Sequence, residues 1–121
     1  MKNKKKVKTK KETIAQKALR LLSGVPKSKF IINEFSDGIG KCCVMGHFTR
    51  LTTGDPTDYK RDLADYDIAL RETSRSFFEK ERKEYNSIVD VNNDNTVRGY
   101  KHPQIKDRVI ACLKDMVKAG Y

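Results

Sequence analysis

The chain has no tryptophan, so five Phe and five Tyr supply all of its aromatic bulk. It has three cysteines, an odd count, and no Cys-x-x-Cys pair. Cys42 and Cys43 are adjacent, a poor geometry for bridging to each other. The expectation is therefore reduced thiols in a cytoplasmic protein, not a disulfide scaffold. No apolar run approaches the roughly 18 residues of a membrane span. The basic start has no apolar stretch behind it, which argues against a secretory signal and against membrane association. Acid is missing from one segment above all: the first eleven residues hold seven lysines and no Asp or Glu.

Those seven are Lys2, Lys4, Lys5, Lys6, Lys8, Lys10 and Lys11. The chain carries 26 Lys+Arg against 16 Asp+Glu, and setting the seven aside leaves 19 against 16 over residues 12–121. The basicity is a tail more than a property of the folded part. The expected organisation is a flexible basic arm at 1–11 and one α+β domain at 12–121. Such an arm meets phosphate. Lysine is a point charge without a base code, so binding to nucleic acid would be non-sequence-specific, and DNA and RNA are not distinguished. No aromatic residue is interleaved to stack on bases. A solubilising tail, a nuclear-import signal around residues 4–8 and a membrane contact are the other readings of the same run. The single apolar residue Val7 weakens the last of these.

From residue 12 onward the apolar residues are periodic. Ile14, Ala18, Leu21 and Leu22 share one helical face, ended by Gly24 and Pro26. Residues 29–35 are β-branched and aromatic, and 41–44 read as a return strand, making a hairpin. A helix over 44–52 follows, with Val44, Phe48 and Leu51 on one face. A long helix opens near Asp55 and Pro56 and carries Tyr59, Leu63, Tyr66, Leu70 and Phe77 to about Glu84, with a mixed-charge outer face. Residues 87–91 read as a third strand and 92–96 as an Asx-rich turn. Ile105, Val109, Cys112, Leu113 and Met116 define the last helix, stopped by Gly120. The expected fold is α+β: about four helices packed on a small three-stranded sheet containing one hairpin.

Chemistry concentrates between Gly40 and Phe48. With a helix starting near Cys43, Cys43 and His47 lie one turn apart on one face. A helix N-terminus and an imidazole both favour a thiolate, the makings of a nucleophile and base. Gly46 on that turn would let a ligand approach the backbone. The alternative is tight packing at a strand-to-helix junction, since a cysteine nucleophile usually meets a histidine from elsewhere in the chain. His102, before Pro103, is a second candidate base. Zinc on Cys42, Cys43, His47 and His102 is disfavoured by the adjacent cysteines. Calcium at Asp90 to Asp94 is disfavoured because Lys101 would stand where a bidentate Glu belongs. No metal and no cofactor is called for.

Cys43-x-x-Gly46 at a helix start, Asn92-Asn93-Asp94 before the last helix, and Ile105, Val109 and Leu113 on that helix together resemble a family of small bacterial and phage proteins. The pattern there is Cys-Ala-x-Gly-Ala followed by Asn-Asp, and the resemblance covers about residues 13–119. This chain departs at His47, where a small residue is usual, and at Asn93, which leaves the Asn-Asp register ambiguous. The resemblance implies no activity. It implies an α+β domain in which Cys43 lies near Asn92 or Asn93, as a structural knot or a small pocket that includes Gly46 and Asp94.

Three functions follow. The first is a small non-enzymatic protein attached to nucleic acid by its arm. The second is a cysteine-dependent enzyme or small-ligand binder using Cys43 with His47 or His102. The third is a structural protein, virion-associated or homo-oligomeric, whose long charged helix at 58–84 meets a protein partner.

Overall fold

The computed structural model describes residues 12–32, 40–53, 64–94, 100 and 102–121. The lysine arm, the proposed hairpin turn and the Asp55–Pro56 helix start lie outside them. Among the described residues the fold is helical, which corrects the α+β expectation. Five α-helices follow one another: α1 Ile14–Ser23, α2 Val44–Thr53, α3 Ala64–Glu81, α4 Ile88–Asn93 and α5 Ile105–Lys118. The only β pairing among these residues is one isolated parallel bridge, Phe30 to Cys42. Among the described residues the expected hairpin is not formed: residues 27–29 are a 3-10 turn, and the chain at Phe30 runs parallel to the chain at Cys42, while 33–39 lie outside them.

The third expected strand, 87–91, is α4. Ile88, Val91 and Asn92 are its buried residues, a helical spacing in which one member is polar. Hydrophobic alternation could not register a buried asparagine. A start signal was present in Ser87-x-x-Asp90, a Ser followed three residues later by an acid. The Ser87 side chain accepts the Val89 N–H, and the Asp90 carboxylate accepts the Asn86 N–H at 2.6 Å. Six residues are too few for a self-sustaining helix. Ser74 on α3 adds a bond from outside, its Oγ accepting the Ile88 N–H at 2.9 Å.

α1 is closed at its start by a reciprocal capping box between Thr13 and Gln16. α5 ends as Gly120 predicts. Gly120 adopts φ 95°, its N–H reaches the Val117 carbonyl, and the Tyr121 N–H reaches Met116. α3 closes by the same motif at Arg82, with φ 57° and no glycine. α5 packs chiefly on α1 and α4. One apolar cluster draws on all five helices, with Phe48, Phe78, Leu22, Met45 and Leu113 among its fully buried side chains. No described helix is long and apolar enough to cross a membrane.

Candidate functional site

Lys29 to Ile31 and Cys42 to His47 meet beside the end of α4. Cys42 donates its N–H to the Lys29 carbonyl at 3.0 Å, and the Ile31 N–H reaches the Cys42 carbonyl at 3.1 Å. Cys43 immediately precedes α2 and is buried, 6% exposed. Burial pushes its thiol pKa up, against the opposing pull of the Gly46 and Met45 N–H groups on the sulfur. The sulfur lies at the start of α2, packed in the core. The Arg71 charge also favours the thiolate, but burial outweighs it, and the sulfur lacks the exposure of a reactive thiolate.

His47 is fully buried, and both ring nitrogens are engaged. Nε2 lies 2.8 Å from the Lys29 carbonyl, which can only accept, so Nε2 carries the proton. Nδ1 then accepts from the Arg50 guanidinium at 3.0 Å. Burial lowers the His47 pKa, the Lys29 carbonyl opposes this, and the Arg50 charge lowers it further. The ring packs against Phe30 at 4.7 Å between centroids. A histidine so held has no free nitrogen for Cys43 or for a metal. Among the described residues, no three His, Cys, Asp or Glu side chains gather to hold an ion.

Asn92 joins this corner to α4. Its Oδ1 accepts the Val44 N–H at 2.9 Å, satisfying the first orphan donor of α2. Its Nδ2 donates to the Ile31 carbonyl at 2.9 Å and to Asn93 Oδ1 at 3.0 Å. Asp94, also buried, accepts from the Tyr85 hydroxyl at 2.7 Å. Gly46 is buried within α2. Of the Asx run that read as a turn over 92–96, Asn92 and Asn93 are instead the last turn of α4 and Asp94 follows as its C-cap, while 95 and 96 lie outside the described residues.

Arg108 leaves no mark in the sequence, because apolar periodicity does not single out one arginine on a charged helix. It is 2% exposed. Nε donates to the Val91 carbonyl at 2.7 Å and Nη2 to the Asn92 carbonyl at 2.7 Å. Nη1 reaches Pro103 at 3.0 Å and, more weakly, His102 at 3.4 Å. Burial lowers the guanidinium pKa, and the nearby Asp94 charge opposes that. The planar fork gathers the loose carbonyls ending α4 and those entering α5.

His102 lies elsewhere. It is exposed and lines a groove of about 580 Å³ that contains no cysteine. Lys27, Lys106 and Lys114 share that groove with a single acid, Asp107. Lys27 pairs with Asp107 at 3.0 Å, and Lys106 Nζ donates to the Ser23 carbonyl at 2.7 Å. Cys112 sits in the core on the α5 stripe, and burial pushes its pKa up to about 12. No family model, curated protein or solved structure matches this chain.

Proposed function

We propose that the protein is a small non-enzymatic binding protein that attaches to nucleic acid through its lysine arm, in the cytoplasm of a bacterial or phage-infected cell. The observation that carries this reading is seven lysines and no acid in the first eleven residues. The geometry of the core supports it from the other side. Cys43 is buried with its pKa raised and both His47 ring nitrogens are engaged, which favours this reading over the cysteine-dependent one. The resemblance to small bacterial and phage proteins belongs to this reading and adds no activity to it. Affinity comes from counterion release and carries no base code.

The test is binding of full-length protein and of a deletion of residues 2–11 to duplex DNA across a salt series. With most arm lysines engaged, log K falls against log salt with a slope of roughly −5 to −6. The deletion removes most of that slope. Binding and slope unchanged by the deletion would refute the reading.

A further inference from the structure

We propose that the groove between α5 and the end of α1 seats the phosphodiester backbone of a single-stranded nucleic acid. Lys106 and Lys114 are its phosphate contacts, and Lys27 is a third contact restrained by Asp107. The inference rests on the nucleic-acid reading above and adds a place on the folded part where the strand lies.

Lys106, Ile110 and Lys114 recur at four-residue steps on α5, so they form one row along the groove. The two lysines are eight residues apart, about 12 Å along the helix axis. Between them Ile110 and Ala111, both half-buried, make an apolar floor. Lys106 uses one of its three ammonium donors on the Ser23 carbonyl, leaving two for a phosphate. Lys114 is exposed and in no ion pair among the described residues. The Lys27 and Asp107 side chains are 56% and 37% exposed, so their pair is weak and exchangeable. His102 adds a ring N–H donor on the rim.

Charge complementarity favours an anionic chain, because the groove sets three lysines against one acid. The apolar floor favours a single strand, whose sugars and unpaired bases can lie on it. A duplex keeps its bases inside and offers mainly phosphate. No Phe or Tyr lines the groove for stacking, so its contribution is chiefly electrostatic and salt-labile.

The experiment measures anisotropy of a labelled oligo-thymidine strand of about 20 nucleotides at about 50 and 200 mM salt. Proteins compared are the full chain, the arm deletion, Asp107→Asn, Lys106→Gln/Lys114→Gln, and Glu72→Gln. Glu72 is an exposed acid on α3 and controls for net charge. Asp107→Asn releases Lys27, so binding tightens roughly 2- to 3-fold at the higher salt and the slope steepens by about 0.7. Glu72→Gln produces clearly less. The double lysine variant flattens the slope by about 1.4. A full chain with no salt-dependent binding refutes both the function and the groove. Binding lost with the arm, but affected equally by Asp107→Asn and Glu72→Gln, refutes the groove alone. Displacement of the strand by polyglutamate at equal charge concentration refutes nucleic acid as the occupant in favour of an acidic protein.

Discussion

Replacing Arg108 by Ala removes the side chain that, among the described residues, ties the end of α4 to the start of α5 through backbone carbonyls. The Val91 carbonyl keeps a second bond, from the Asp94 N–H at 3.3 Å, so its loss is partial. The Asn92 carbonyl loses its 2.7 Å partner inside the core, and the Pro103 carbonyl loses one at 3.0 Å. An orphaned buried carbonyl costs about 1–3 kcal/mol, and the buried aliphatic stem adds lost packing. The gain from no longer burying a guanidinium offsets part of this. The net expectation is a loss of about 3–5 kcal/mol. Domains of this size hold about 5–15 kcal/mol in total, so the variant sits near the edge of folding. Arg108→Met keeps most of the stem and isolates the polar part, about 2–3 kcal/mol. Arg108→Lys recovers less than half, because an ammonium is not a fork. Urea unfolding followed by helical circular dichroism measures all three, with unchanged m-values required. A loss below about 1 kcal/mol for Arg108→Ala would refute the clamp.

Two further predictions concern the buried corner. Cys43 in folded protein alkylates much more slowly near neutral pH than a free peptide cysteine, by at least an order of magnitude, and His47→Ala does not slow it further; a thiol as fast as the free peptide would overturn its placement in the core. His47 is held neutral with its pKa below the ordinary 6.5, so folding stability is independent of this group above that value. As pH falls below 6.5 the unfolded chain binds the proton first, and stability drops by at most about 1.4 kcal/mol per pH unit until the lower folded pKa is reached. Comparing pH-dependent urea midpoints of wild type and His47→Asn isolates the effect, and identical slopes between pH 7 and pH 5.5 would contradict it.

α1, α2 and α5 were legible because each repeats its apolar residues at helical spacing and carries a stop or turn signal. The part of α3 bearing Leu70 and Phe77 was legible for the same reason. Residues 29–32 and 87–91 misled because β-branched residues favour a strand only if a partner strand exists. Here Phe30 meets a single bridge, and Ile88 and Val91 pack as a helix around a buried asparagine. The proximity of Asn92 to the start of α2 rested on a resemblance, not on spacing. The Arg108 clamp left no local mark.

The sequence by itself determined where charge accumulates and which residues share a helical face, because both are properties of neighbours along the chain. It placed Cys43 and His47 one turn apart. Only the tertiary structure decided what that spacing means. The Lys29 carbonyl and Arg50 occupy the imidazole, the Asn92 amide occupies the first N–H of α2, and burial raises the thiol pKa. The physical reason is long-range packing: elements far apart in the chain bury the thiol and occupy both nitrogens of the imidazole, which spacing along one helix cannot register.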